Sequence, residues 1–151
     1  MKQSKVFPLS IFAIIGLIVF PLNITYADDA EPQGIAHKVV IHVSSNDLKT
    51  QKMALNNAVN LQKHYGMDNV AVEIVAYGPG ISLMTEGTKL STRVSSLSQQ
   101  EIRFSACANT INNITSKKGV RPVLTEGGEI VPAGVARIIE LQESGYTYVR
   151  P

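Results

Sequence analysis

Apolar runs and helical periodicities alternate along most of this chain. The runs Lys38–Val43 and Val70–Tyr77 are short, apolar and rich in β-branched residues, which is typical of buried strands. Stretches between such runs repeat their apolar residues at spacings of three and four, which predicts helices. The further predicted strands are Ile102–Ala106, Glu129–Val131 and Tyr146–Val149, and the predicted helices are Leu48–Tyr65, Lys89–Gln100, Asn109–Lys117 and Pro132–Ser144.

The first and last of these helices carry the clearest signals. In the first, a cluster of capping residues at Ser44–Asp47 precedes the helix, and Gly66 is expected to end it. In the last, Pro132 suits the first turn, and Gly145 follows the end. The residues predicted to face inward are Ala54, Ala58, Leu61 and Tyr65 in the first helix, and Val135, Ile138 and Leu141 or Gln142 in the last.

This order of elements predicts the fold class. Strands alternate with helices, and the two long strands are apolar on both faces, as in sheets that are covered on both sides. We therefore expect an α/β domain over residues 37–151, with three layers: a mainly parallel five-stranded sheet with helices on both faces.

The N-terminal 27 residues have the order of regions found in a secretory signal peptide. Lys2 and Lys5 precede the apolar run Leu9–Phe20, and small Ala27 stands before two acidic residues. We predict cleavage after Ala27, a flexible leader over residues 28–36, and a periplasmic or secreted protein. The uncharged stretch Val6–Ala27 is 22 residues long, so a retained membrane anchor is the alternative.

The charge balance excludes one class of partner. The chain has 14 Lys and Arg against 12 Asp and Glu, and two of the lysines belong to the predicted signal. The remaining 12 basic and 12 acidic residues cancel. Because binding to nucleic acid needs an excess of positive charge, we expect no nucleic-acid partner. No later stretch is long and apolar enough to span a bilayer, so we also expect no membrane partner after signal cleavage.

Cys107 is the single cysteine, which rules out a disulfide within the chain. The three histidines His37, His42 and His64 lack the spacing of a zinc site, and we expect neither a metal nor a cofactor. Cys107 follows the third strand and precedes a helix, where unpaired N–H groups and the helix dipole favour a thiolate. A free cysteine is also among the most buried residue types, so an inert packing role is the competing interpretation.

Three loops are expected at the carboxyl edge of the sheet, where open α/β sheets bind ligands. These loops are Ser44–Asp47, Gly78–Gly80 and Ser105–Thr110. The last contains Cys107.

The residues around these loops resemble the DsrE/DsrF-like family, within the DsrEFH-like superfamily. The resemblance lies in the segment Ile102–Thr110, the Gly78-Pro79-Gly80 turn and the segment Val131–Val135. It implies a mainly parallel five-stranded sheet and assembly into oligomers. Some members of the wider family carry sulfur as a persulfide on a cysteine at the end of strand three, and Cys107 matches that position.

The resemblance leads to a functional hypothesis with two alternatives. Cys107 would be the nucleophile that takes up a sulfane sulfur and exchanges it with a donor or acceptor protein, in a homo-oligomer. The N–H groups of Ala108 and Asn109 would stabilise its anion, and the pocket would be shaped by Asn46, Asp47, Gly78 and Gly80. Because the sulfur-relay members are cytoplasmic and this chain is predicted to be exported, two alternatives stay open. These are a non-catalytic binding or assembly module, and a redox sensor that forms a disulfide between subunits.

Overall fold

The computed structural model describes residues 34–151. The predicted signal peptide and most of the predicted leader lie outside the described residues. Within the described part of the chain, no helix has the length and apolar character needed to cross a bilayer.

The described residues form a five-stranded sheet in which every strand pairing is parallel, in the order β4-β3-β2-β1-β5. This confirms the predicted α/β class. The strands are β1 (His37–Val43), β2 (Val70–Ala76), β3 (Ile102–Cys107), β4 (Gly128–Val131) and β5 (Thr147–Val149). The helices are α1 (Leu48–Tyr65), α2 (Ser91–Ser98), α3 (Ala108–Lys118) and α4 (Gly134–Glu143). Two 3₁₀ segments, Met67–Asn69 and Gly78–Met84, complete the fold.

The strand order explains which face each helix covers. From β1 to β4 each strand lies beside its predecessor in one direction, so right-handed crossovers put α1, α2 and α3 on one face. The return from β4 to β5 runs the other way and puts α4 on the opposite face. The packing agrees with this assignment of faces. Helices α1, α2 and α3 contribute to the larger core around Ile41, Ile74 and Phe104. On the other face, Ile138 and Leu141 of α4 pack on Val40 and Val75.

The first helix has the predicted bounds, with Asp47 as its N-cap and Gly66, at φ +89°, at its C-terminal end. Of the four residues predicted to face inward, Ala54 and Ala58 are fully buried. Leu61 and Tyr65 are partly buried against the same core.

The start of the last helix was predicted wrongly. Ala133 has extended dihedral angles, φ −144° and ψ 120°, so α4 begins at Gly134 and Pro132 lies before it. The buried positions are Gly134, Ile138 and Leu141, at spacings of four and three. Val135 was predicted to face inward but is 54% exposed, because Gly134 occupies the position nearest the sheet.

The glycine turn after β2 is also more extensive than the predicted tight turn. It continues as the 3₁₀ segment Gly78–Met84, which crosses the end of β1. A Cβ atom at Gly80 would collide with the backbone carbonyl of Val43. Only glycine therefore lets this segment approach β1 so closely.

A buried ion pair anchors α4 to the sheet. Glu73 of β2 is 1% exposed, and Arg137 of α4 binds both of its carboxylate oxygens, each at 2.8 Å. The Ser105 hydroxyl donates to the same carboxylate at 2.6 Å, and Arg103 lies 3.7 Å away. These bonds to Glu73 keep the pKa of Arg137 above its ordinary value. Both oxygens of the buried carboxylate are thus satisfied, as a buried charge requires.

We expect Glu73→Gln to destabilise the protein by about 3 kcal/mol, because Arg137 would lose the carboxylate that pairs with it. Urea unfolding followed by circular dichroism measures this change. Glu140→Gln is the matched control. Glu140 lies 3.6 Å from Arg137, but its side chain is 62% exposed, and an exposed pair is worth less than about 1 kcal/mol. Equal losses in the two variants would contradict the anchoring role of Glu73.

Candidate functional site

Cys107 is the last residue of β3, at the carboxyl edge of the sheet, and is 6% exposed. Side chains alternate along a strand, so Cys107 shares a face with Ser105, which binds Glu73. This is the face that α4 covers, and Gly134 at the start of α4 lies directly against Cys107. The thiol is therefore enclosed between the starts of two helices, α3 and α4.

Hydrogen-bond donors from both helix starts converge on the thiol. Burial by itself would raise the pKa of Cys107, but the nearby N–H groups of Gly134, Thr110 and Asn109 and the hydroxyl of Thr110 lower it. Together these donors bring the pKa of Cys107 below its ordinary value. Bonds from N–H groups stabilise the anion more than the neutral thiol, so the site favours the thiolate.

Thr110 connects the thiol to the glycine turn. Its Oγ1 accepts a hydrogen bond from the N–H of Gly78 at 2.9 Å, and the same hydroxyl is one of the groups that lower the pKa of Cys107. The turn after β2 therefore holds a group that acts on the sulfur.

Gly134 packs closely against Cys107 and Tyr77. A Cβ atom at this position would lie 3.2 Å from the Cβ of Cys107 and 3.0 Å from Cδ1 of Tyr77. The absence of a side chain lets the first N–H group of α4 reach the sulfur. It also brings the Tyr77 ring to the edge of the site.

The structure brings the three predicted loops together at this edge. Gly80 packs on the end of β1, Gly78 bonds Thr110, and Ala108 and Asn109 open α3 beside Cys107. Asp47 is exposed and its carboxylate caps α1 by accepting from the N–H of Thr50 at 2.8 Å. That bond keeps the pKa of Asp47 below its ordinary value. Asn46, next to it, is exposed.

Sequence reasoning missed two of the residues that contact the thiol. Thr110 fell within a predicted loop without a role, and Gly134 was expected inside a helix that began at Pro132. Gly134 carries no signal in the sequence alone, because its contact depends on α4 crossing to the face of Cys107. Thr110 could have been found, because Cys107 is the N-cap of α3 and the third residue of a helix presents its N–H group to the N-cap side chain.

An aromatic stack stands beside the site. The ring of His42, which is 5% exposed, lies 4.5 Å from the Tyr77 ring at an angle of 23°. His42 Nδ1 is 2.7 Å from the Tyr148 hydroxyl, and its Nε2 is buried without a partner among the described residues. Burial, and then the charge of Arg150, lower the pKa of His42. The ring is therefore neutral at physiological pH.

A groove of about 720 Å³ lies elsewhere, at the amino ends of β2 and β3. Its lining includes Asp68, Glu101, Arg103, Glu126 and Glu129, but not Cys107. Among residues 34–151, no group of three or more His, Cys, Asp or Glu side chains is placed to hold a metal ion. The reactive group of the candidate site is the enclosed thiol of Cys107.

Comparison with solved structures identifies the relatives of the chain. A protein of unknown function from Methanobacterium thermoautotrophicum, MTH1491, is 32% identical, with a TM-score of 0.68 over 76% of this chain and 99% of its own. The chain belongs to the family of MTH1491. Neither a protein-family model nor a curated protein matches it.

Two more distant structures share the fold of the MTH1491 family. The ychN protein of E. coli is 15% identical, with a TM-score of 0.60 over 76% of this chain and 99% of its own. A conserved protein of unknown function from Bacteroides thetaiotaomicron, BT1422, is 17% identical, with a TM-score of 0.55 over 80% and 100% of the two chains. The ychN protein has a DsrE-like fold, so the resemblance read from the sequence holds at the level of the fold.

We expect the alkylation rate of Cys107 to rise with pH around a midpoint below that of a free cysteine. The reason is that the converging donors favour the thiolate. Thr110→Val removes one donor and should move the midpoint upward. Iodoacetamide labelling of the native protein, followed by mass spectrometry over a pH series, measures both midpoints.

Thr115→Val is the matched control for this titration. Thr115 lies in the same helix, and its hydroxyl donates to the backbone carbonyl of Ile111. The control should keep the wild-type midpoint. An unchanged midpoint in Thr110→Val would show that the Thr110 hydroxyl does not stabilise the thiolate.

Proposed function

We propose that this chain is an exported sulfur carrier that holds a sulfane sulfur as a persulfide on Cys107. The observation that carries the proposal is the convergence of donors from two helix starts on one buried thiol. A structural cysteine in an apolar core has its pKa raised by burial and is inert. The lowered pKa of Cys107 instead favours a nucleophile.

The proposed reaction is an exchange at sulfur. The Cys107 thiolate attacks the outer sulfur of thiosulfate, a new S–S bond forms, and the S–S bond of thiosulfate breaks. Sulfite leaves with the electron pair, so no further oxidant or reductant is required. Attack by a thiol of an acceptor on the outer sulfur of the persulfide would return Cys107 to the thiolate.

The same donors suit both anions of this cycle. Thiolate and persulfide each carry one negative charge, and the starts of α3 and α4 present N–H groups and positive dipole ends to it. The charge therefore stays at one place while the sulfur is gained and lost. Asn46 and Gly80, on the loops that meet at this edge, would shape the entrance.

Burial of Cys107 fits a carrier that works outside the cytoplasm. Exported proteins meet an oxidising environment, where an accessible thiol forms disulfides. At 6% exposure, Cys107 has little surface for contact with another protein thiol. Enclosure by α3 and α4 would thus protect the thiol while small sulfur compounds react with it.

Self-association is part of the proposal. Val135 and Ile139 are 54% and 51% exposed and lie one turn apart on α4. Apolar residues that line up on an exposed helix face are suited to contact with a second copy of the chain. Light scattering that gives the mass of a single protomer would contradict this part.

We expect wild-type protein incubated with thiosulfate or polysulfide to gain the mass of one sulfur atom, and dithiothreitol to remove it. Mass spectrometry of the intact protein measures the gain. Cys107→Ser is the control and should gain nothing. The proposal fails if the wild type gains no sulfur, or if the gain persists in Cys107→Ser.

The burial of Cys107 also supports a second candidate, a non-catalytic assembly module in which the cysteine packs or senses oxidants. Its packing form predicts a native thiol that alkylating reagents reach only after unfolding. The redox-sensing form of it predicts a disulfide-linked dimer on a non-reducing gel. Rapid labelling of the native thiol, without such a dimer, would exclude both forms.

A further inference from the structure

The Tyr77 ring forms one wall of the Cys107 site. It lies against the same glycine as the cysteine, since a Cβ at Gly134 would be 3.0 Å from Tyr77 Cδ1 and 3.2 Å from Cys107 Cβ. Tyr77 directly follows β2, and its N–H bonds the carbonyl of Val43 at 3.2 Å. The backbone that carries the ring is therefore fixed to the sheet.

The ring itself is supported from behind. His42 stacks on Tyr77 with centroids 4.5 Å apart, and the Tyr148 hydroxyl holds His42 from β5 at 2.7 Å. Three aromatic side chains from β1, β5 and the end of β2 thus form a layer beside the thiol. Stacked aromatic pairs gain energy beyond the burial of their area, so this layer resists displacement.

The imidazole of His42 in this layer is uncharged at physiological pH. His42 is 5% exposed, and its Nε2 has no partner within the described part of the chain. A protonated ring at this place would bury an uncompensated charge, which is costly. His42 therefore adds no charge to the wall, which acts on the site through its shape.

We propose that Tyr77, backed by His42 and Tyr148, is a size filter that restricts Cys107 to small sulfane-sulfur donors such as thiosulfate and short inorganic polysulfides. Bulky disulfides and persulfides, including those on proteins, cannot bring their sulfur in line with the enclosed thiolate while the ring is in place. This inference rests on the proposed function and names the class of sulfur donor. Tyr77 is a specificity-determining residue in this scheme.

The test compares two thiol reagents that differ only in the group they transfer, which is small in one and bulky in the other. Methyl and benzyl methanethiosulfonate have the same reactive sulfur and the same leaving group, methanesulfinate, and both are neutral. The ratio of their second-order rate constants is measured on the native chain and on the chain unfolded in urea. We expect the native ratio to favour the methyl reagent at least about tenfold more than the unfolded ratio does.

Variants of Tyr77 test whether its ring causes the selectivity for the smaller reagent. Tyr77→Ala, and Tyr77→Leu as a variant that keeps apolar volume, should bring the native ratio toward the unfolded one. Tyr77→Phe retains the ring and should retain most of the selectivity. Tyr146→Ala is the matched control, because Tyr146 packs on the same face without contacting Gly134. It should keep the wild-type ratio.

The outcomes separate the filter from the sulfur carrier. Equal rate-constant ratios in native and unfolded wild type overturn the filter. The filter is also overturned if native Tyr77→Ala and native Tyr77→Leu both keep the ratio of the native wild type. Uptake of sulfur from thiosulfate is measured independently by mass. A selective thiol that takes up no sulfur would therefore leave the filter standing and overturn the carrier.

Discussion

The Glu73–Arg137 ion pair is the interaction on which the geometry of the site depends. Within residues 34–151, α4 is the helix on its face of the sheet, and the core beneath it has four buried apolar residues. Arg137 lies one turn after Gly134, so the two bonds of 2.8 Å to Glu73 fix the start of α4 as well as its middle. Burial of the two charged groups costs desolvation free energy, so the main role of the pair is to position α4 rather than to stabilise the fold.

The consequence of this anchoring is a thiol between two helix starts. The start of α3 lies at the thiol because α3 begins directly after Cys107. The start of α4 comes from a distant part of the chain, and the ion pair holds it in place. Its N–H group, together with those of α3, opposes the effect of burial on the pKa of Cys107. The result is a site that is enclosed and favours an anion. The stack of Tyr77 on the neutral His42 ring limits which molecules can enter it.

Local pattern was enough to predict the layers of the fold and the place of Cys107. The bounds of α1 followed from a capping residue and a glycine, and the strands from their apolar runs. Part of the surroundings of the thiol was beyond such reasoning. Gly134 contacts Cys107 because the crossover after β4 reverses direction, and neighbouring residues do not encode that reversal. Glu73 is the one charged residue in the apolar run Val70–Tyr77, yet its partner lies 64 positions away. Val135 was placed inward from its spacing to Ile138, but Gly134 occupies the inward position before Ile138.

The most direct test of this account is the ultraviolet titration of the Cys107 thiolate in the double variant Glu73→Met, Arg137→Met. Replacing both partners avoids an unpaired buried charge, so the fold should persist while α4 loses its anchor. The account predicts that the pKa of Cys107 rises toward that of a free cysteine, whereas Glu140→Gln leaves it unchanged. A folded double variant whose thiol titrates as in the wild type would contradict it.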